Sequence, residues 1–275
     1  MSHKIVPVIL MLAILAWAVD ASAAPNILSV VETGGDNEAT DTIPAKWTGS
    51  SFNVSVANEP VPGLPVGNVY NVGFFGPNSP TFVDRNHRYI DAPLGTTLAG
   101  GITLPNPVMI PSYLLGGEYI MSGNDNRDNA SYRLDVTVAQ ESIAFMLIDN
   151  RLGNPNSSNE DPPAFSATKM QWILDEGWEP IITGNNHLAS LAQPDEVGID
   201  EGADGNLNQW YSVYAKQFPA GTFSLRQADN AGQNMYGVVV IPAAPIPEPS
   251  TVVLAAVGLS ALLLQRRLRR KFARG

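Results

Sequence analysis

Short apolar stretches separated by Gly, Pro, Asn and Asp run through the middle of the chain. Residues 132–138 alternate between apolar and polar side chains, which predicts a strand with one buried and one solvated face. Residues 238–241 are apolar throughout, as expected of a central strand covered on both sides. The same criteria predict strands at 51–57, 69–75, 118–121, 132–138, 143–148, 210–215, 221–225 and 236–241. Residues 169–174 form the one plausible helical turn between them.

These strands predict an all-β protein. Eight or more short strands in roughly 220 residues are typical of a β-sandwich of the jelly-roll type. Residues 24–65 are looser, with turn sequences at 34–37 and 60–63, and form either a strand pair or an irregular segment. We therefore assign residues 66–246 to a β-sandwich body and residues 24–65 to a loose N-terminal segment.

The first 23 residues have the features of a secretory signal peptide. Lys4 precedes an apolar stretch at 5–19, and Ala21 and Ala23 are the small residues that signal peptidase requires at the cleavage positions. A retained membrane helix is the alternative, but Asp20 and the small residues after it favour cleavage near Ala23. The chain is therefore expected to leave the cytoplasm through the Sec translocon.

The C-terminus carries a second targeting pattern. Pro247, Glu248, Pro249 and Ser250 precede an apolar run at 251–264. Six of the chain's 16 basic residues follow, namely Arg266, Arg267, Arg269, Arg270, Lys271 and Arg274. Because arginines do not follow a helix into hydrocarbon, this pattern predicts a short transmembrane helix with its basic end in the cytoplasm. An amphipathic or core helix is the alternative, but the basic residues are bunched at one end rather than on one face.

The order Pro-Glu-Pro, short transmembrane helix and arginine cluster at 246–275 resembles the PEP-CTERM sorting signal. This signal occurs on exported proteins of Gram-negative bacteria that make exopolysaccharide. In that family a membrane-embedded cysteine protease, the exosortase, acts at the Pro-Glu-Pro element and releases or transfers the mature protein. The resemblance implies a precursor anchored in the inner membrane, exosortase as a partner, and a final location at the cell surface or outside the cell.

Residues 115–241 bear a weaker resemblance to a β-sandwich module of secreted bacterial proteins and polysaccharide-active enzymes. The shared features are a strand ending in Asp-x-Arg, here Asp149-Asn150-Arg151, a turn containing tryptophan, and the hairpin Pro219-Ala220-Gly221. These features are packing and turn signals. The resemblance therefore supports the sandwich fold rather than any activity.

Charge and cysteine content narrow the classes of function. Residues 24–246 hold 24 acidic and 9 basic residues, and such a surface repels nucleic acid and anionic lipid headgroups. The chain has no cysteine, so an oxidising compartment imposes no disulfide pairing. Both properties suit a solvated extracellular protein.

The sequence contains no familiar catalytic motif. It has no Gly-x-Ser-x-Gly, no His-Glu-x-x-His, no phosphate loop and no cysteine nucleophile. The two histidines of the body, His87 and His187, lie a hundred residues apart. Asp149 with the Asp175-Glu176 pair is a candidate glycosidase set, which needs two carboxyl groups roughly 5–9 Å apart. We expect a protein that is not an enzyme, with a secreted polysaccharide hydrolase as the alternative.

Acidic loops supply a candidate metal site. Asp200, Asp204, Asn206 and Asn208 offer closely spaced oxygens of the kind that Ca²⁺ takes. Their spacing starts like an EF-hand loop, but Gln209 stands where that motif has glycine. Asx-turns that cap ordinary hairpins are therefore the commoner explanation, with a structural Ca²⁺ as the alternative and no other cofactor expected.

Trp178 is the candidate sugar-binding residue. Its neighbours are charged or turn-forming, which predicts an exposed ring that stacks on a sugar of exopolysaccharide, although tryptophans more commonly pack in cores. Two classes of function stay open: a non-catalytic surface or matrix protein that binds exopolysaccharide, and a secreted hydrolase. The missing catalytic motifs favour the first.

Overall fold

The computed structural model describes residues 26–34, 51–53, 56–58, 71–82, 84–97, 103–202, 204–229 and 232–243. These residues form mostly β-strands with little helix, which confirms the all-β class. The strands are β1 (Ile27–Thr33), β2 (Ser51–Asn53), β3 (Val56–Asn58), β4 (Asn71–Phe74), β5 (Arg88–Ile90), β6 (Glu118–Ile120), β7 (Arg133–Val138), β8 (Ser142–Asp149), β9 (Glu179–Pro180), β10 (Glu196–Asp200), β11 (Gln209–Phe218), β12 (Gly221–Arg226) and β13 (Gly237–Pro242). The helices are α1 (Gln171–Asp175) and two 3₁₀ turns, Asn124–Asp128 and Pro155–Ser157.

Four strands form a smaller sheet in the order β12-β7-β1-β3. Along β7 buried residues alternate with more exposed ones, so its apolar side chains face the core and Arg133, Asp135 and Thr137 face outward. β12 runs antiparallel to β7, with Arg226 opposite Arg133 and Ser224 opposite Asp135. We call this outward row the polar ladder, which comprises Arg133, Asp135 and Thr137 on β7 with Thr222, Ser224 and Arg226 on β12.

The other strands form a larger sheet in the order β2-β4-β6-β13-β8-β11-β10-β5, with β9 also paired to β11. Its longest strands, β8 and β11, are antiparallel from Tyr211 opposite Asp149 to Phe218 opposite Ser142. Seven of the eight residues of β8 are buried. Burial on both faces explains why this strand shows a continuous apolar run instead of an alternating pattern.

One hydrophobic core contains side chains from both sheets. Val30 and Val136 of the smaller sheet and Leu147 and Val213 of the larger one belong to it and are fully buried. Burying one such side chain stabilises the fold by roughly 1.5–3 kcal/mol. A second, smaller cluster of buried residues includes Trp210.

Each strand predicted from the sequence is found among the described residues, and the predicted helical turn is α1. The single strand predicted at 51–57 is in fact two, because β2 pairs in the larger sheet and β3 in the smaller one. The sequence pattern misses β5, β9 and β10, and it includes β1 only through the alternative of a strand pair within residues 24–65. The described part of the supposedly loose segment 24–65 is therefore sheet, and β1 lies between β7 and β3. At the start of β1, the backbone N–H groups of Asn26 and Ile27 donate hydrogen bonds to the buried carboxylate of Glu118.

The chain divides into two compact units, Met1–Ile241 and Pro242–Gly275. The predicted signal peptide at 1–23 and the predicted sorting signal at 247–275 lie outside the described residues. Within the ranges that the structure describes, no helix has the length and apolar character needed to cross a membrane.

Candidate functional site

Trp178 is buried, so the prediction that its ring is exposed is wrong. Only 2 % of the residue is accessible, and its ring meets that of Phe218 edge to face with centroids 5.7 Å apart. Gly177 has a φ of 77° and reverses the chain after α1. The backbone N–H of Trp178 then donates to the carbonyl of Ile173 at 3.0 Å. This turn folds the tryptophan inward, so it offers no face to a sugar.

The acidic loop at 200–208 uses its oxygens on its own backbone. The Asp200 carboxylate accepts hydrogen bonds from three backbone N–H groups of the loop, the shortest at 2.7 Å from Gly205. Asp204 accepts from the N–H of Asn206 at 3.0 Å, and Asn208 Oδ1 accepts from the N–H of residue 201 at 2.7 Å. These contacts are Asx-type turns. In the described part of the chain, no three His, Asp or Glu side chains are grouped to hold a metal ion.

Two of the three carboxylates considered as a glycosidase set, Asp149 and Glu176, belong to separate ion pairs, and Asp175 accepts a hydrogen bond from Gln171 at 3.3 Å. Asp149 is 1 % exposed and accepts hydrogen bonds from Arg151 Nε at 3.0 Å and Nη2 at 2.7 Å. Its carboxylate also accepts from the backbone N–H of Asn234 at 3.1 Å. Glu176 instead pairs with Arg226, with Oε1 2.9 Å from Nη2. Because these donors occupy the Asp149 carboxylate, this group joins the end of β8 to the neighbouring loops.

The two histidines of the body lie in different polar environments. His187 Nδ1 is 2.8 Å from Glu196 Oε2, and its ring stacks on Trp210 with centroids 5.7 Å apart. Burial alone lowers the pKa of His187, but the hydrogen bond and charge of Glu196 outweigh burial and raise that pKa above its usual value. Burial dominates for His87 and lowers its pKa. The His187–Glu196 pair is therefore part of the packed interior.

A groove of about 440 Å³ lies at one end of the polar ladder. Helix α1 contributes Trp172, β7 contributes Arg133, and β12 contributes Ser224 and Arg226. The full lining consists of Ala130, Tyr132, Arg133, Trp172, Ser224, Arg226 and Gln227. We call it the Trp172 groove.

Trp172 is half-buried and held in one orientation. Its indole Nε1 donates to the backbone carbonyl of Gln227 at 3.0 Å. Its ring also packs edge to face against Tyr236, with centroids 6.3 Å apart. A ring fixed in this way offers apolar surface to a ligand with little loss of side-chain entropy. Trp172, rather than Trp178, is the tryptophan that lines a groove.

Two arginines face each other across the strands beside this ring. Arg133 and Arg226 are directly opposite in the β7–β12 register, and their side chains are 57 % and 62 % exposed. Arg133 donates from Nε to Asp135 at 2.8 Å and from Nη2 to Ser224 at 2.9 Å. Burial alone raises the pKa of Asp135, but the hydrogen bonds from Arg133 and Ser224 outweigh it and lower that pKa. Asp135 is therefore ionised at neutral pH.

The Trp172 groove has the chemistry of a binding site. It joins a flat aromatic surface to guanidinium donors, which is the usual makeup of a small-ligand site. The Ser224 hydroxyl already donates its proton to Asp135. The alternation at 132–138 shows from sequence alone that Arg133 faces outward. No local pattern, however, shows that β12 pairs with β7 or that α1 lies beside them, so sequence reasoning missed this site.

A second groove, of about 470 Å³, borders β9 and β11. Its aromatic residues are Tyr113 and Phe145, whose rings stack with centroids 5.4 Å apart. The Tyr113 hydroxyl is already bonded to the buried Asp195 at 2.9 Å. The Trp172 groove, with two exposed guanidinium groups, is the better candidate for a polar ligand.

Comparisons with known proteins add no family to this description. Neither the protein-family models, nor the curated proteins, nor the solved structures contain a match to this chain.

Proposed function

We propose that this protein is an exported cell-surface or extracellular-matrix protein whose non-catalytic body binds exopolysaccharide in the Trp172 groove. The observation that carries the proposal is the partly exposed side chain of Trp172 beside the guanidinium donors of Arg133 and Arg226. Sugar rings have apolar C–H faces and a rim of hydroxyls, so they bind where an aromatic surface adjoins polar groups. We further propose that the body is a β-sandwich of the jelly-roll type, which two sheets around a common core support.

The proposal includes the route to the surface. The chain passes the Sec translocon, signal peptidase cuts near Ala23, and the C-terminal helix holds the precursor in the inner membrane. Exosortase then acts at Pro247-Glu248-Pro249. The order of the C-terminal elements and the six basic residues after the apolar run support this route.

Replacing Trp172 by alanine is expected to weaken polysaccharide binding by about tenfold or more, because truncating an aromatic anchor costs roughly 2 kcal/mol. Affinity electrophoresis in native gels that contain acidic or neutral polysaccharide measures the effect as lost retardation. Trp178→Phe is the matched control, since it alters a buried tryptophan and is expected to bind as the wild type does. Equal retardation of Trp172→Ala and wild type would exclude this groove. Reducing sugar released during the same incubation would instead favour the hydrolase.

Replacing Glu248 by alanine is expected to block processing and to leave a membrane-bound precursor. The change alters the proposed protease element but keeps the apolar run and the basic residues that anchor the chain. Deleting residues 266–274 is the contrasting variant and is expected to lose stable anchoring. Intact mass spectrometry of surface protein should show wild-type chains shorter at the C-terminus by roughly 3 kDa, the share of residues 247–275 in a chain of 275 residues and 29.4 kDa. Surface protein that still ends at Gly275 would contradict the sorting proposal.

A further inference from the structure

We propose that the Trp172 groove selects a sugar that carries a carboxylate, so that its ligand is a polysaccharide containing uronic acid. This inference rests on the proposed function and makes it more specific. Its basis is the cross-strand pair of Arg133 and Arg226 in the groove wall.

Two like charges directly opposite each other on antiparallel strands destabilise a sheet. Arg133 and Arg226 occupy such opposite positions on the outer face of β7 and β12. An uncharged polar residue at either position would be solvated equally well without the repulsion. Asp135 and Glu176 each pair with one of the two arginines. Among the described contacts, neither carboxylate bridges both guanidinium groups. An anion bound between the two arginines would bridge them.

The guanidinium groups of Arg133 and Arg226 are more exposed to solvent than the carboxylates that pair with them. The side chains of Arg133 and Arg226 are 57 % and 62 % exposed, whereas those of Asp135 and Glu176 are each 25 % exposed. Each guanidinium has five N–H donors. Arg133 uses Nε and Nη2 in its contacts with Asp135 and Ser224, and Arg226 uses Nη2 in its contact with Glu176. Donors therefore remain on both arginines for a ligand.

Arg133 and Arg226 lie on a protein body that is acidic overall. Residues 24–246 carry 24 acidic and 9 basic residues, so most of the surface repels an anionic polymer. Arg133 and Arg226 lie beside an aromatic ring and, although each pairs with a carboxylate, keep exposed guanidinium donors for an acidic sugar. The planar fork of a guanidinium matches a carboxylate in a bidentate contact, and Trp172 receives the face of the same sugar ring. The geometry thus suits a uronate better than a neutral sugar.

The test compares polygalacturonate with the same polymer after methyl esterification, which removes the charge and keeps the sugar. The full-length chain is purified in a polyoxyethylene detergent, and its affinity for each polymer is measured by affinity electrophoresis. We expect wild type to bind polygalacturonate at least about tenfold more tightly than the ester, with the difference shrinking as salt rises. Arg133→Gln and Arg226→Gln should each remove most of this preference. Both side chains are exposed, so the fold should tolerate the changes, which a thermal melt checks.

Arg88→Gln is the matched control, because it removes one positive charge on β5 in the other sheet. Its preference for the acid polymer should equal that of wild type. Equal binding of the acid and the ester by wild type would overturn the inference while leaving the proposed function in place. The inference would also be overturned, and the proposed function would stand, if Arg88→Gln lost the preference for the acid polymer as fully as the groove variants do. Absence of retardation by both polymers and by neutral dextran would overturn the proposed function as well.

Discussion

Replacing Arg151 by methionine is expected to destabilise the fold by about 3–5 kcal/mol, because it leaves a buried carboxylate without its countercharge. The Asp149 side chain has no accessible surface, whereas that of Arg151 is 19 % exposed. Two Arg151 nitrogens donate to Asp149, and the same guanidinium also donates to Gln209. The loss should appear as a lower midpoint of guanidinium unfolding with an unchanged slope.

Arg133→Met is the control for this prediction. Arg133 also pairs with an aspartate two residues away, but its side chain is 57 % exposed, so the expected loss is less than about 1 kcal/mol. The double variant Asp149→Asn with Arg151→Met should be more stable than Arg151→Met alone, because the unpaired charge is gone while an acceptor remains. If the losses of the single variants simply add in the double variant, the charge pairing is not the cause.

Replacing Trp178 by alanine is expected to cost about 3–5 kcal/mol, the usual range for removing a large aromatic side chain from a core. For a body of this size that loss lowers the melting temperature by roughly 2–4 °C per kcal/mol. The ring is 2 % exposed and contacts Phe218, which in turn stacks on Phe223 with centroids 4.1 Å apart. Truncation therefore opens a cavity beside the ring of Phe218, which stacks on Phe223.

Trp178→Phe separates packing from polarity. It keeps an aromatic ring and removes the indole N–H, which has no hydrogen-bond partner in the described structure. The expected cost is less than about 1.5 kcal/mol. Differential scanning calorimetry of wild type and both variants measures these losses. A melting temperature unchanged in Trp178→Ala would mean that the ring is solvated, as its sequence neighbours alone suggest.

The strands were largely predictable because each depends on a local pattern. Alternation at 132–138 and the apolar run at 143–148 reflect how many faces of β7 and β8 are buried. β10 escaped prediction, since its residues Glu196 and Asp200 are polar yet buried. Glu196 accepts a hydrogen bond from Asn150, which is 46 residues earlier in the chain, whereas Asp200 accepts from the backbone of its own loop. Local hydrophobicity carries no information about such partners.

The candidate site was not predictable to the same degree. Trp172 and Trp178 lie six residues apart, the first between Gln171 and Ile173 and the second between Gly177 and Glu179. One lines a groove and the other is buried because of Phe218, which is forty residues later in the chain. The outward direction of Arg133 follows from alternation, but its position opposite Arg226 depends on the β7–β12 register. Pairing between distant strands decides what surrounds a side chain.

The position of β1 between β7 and β3 has a consequence for folding kinetics. β1 is near the start of the chain, but its partner β7 comes about a hundred residues later, with Ile27 opposite Val138. The smaller sheet cannot close until both strands have been synthesised, and such distant pairings fold slowly. Until then β1 has only β3 as a native neighbour in its sheet. An early strand with a late partner thus delays folding, and this delay suits the export in an unfolded state that we propose for the chain.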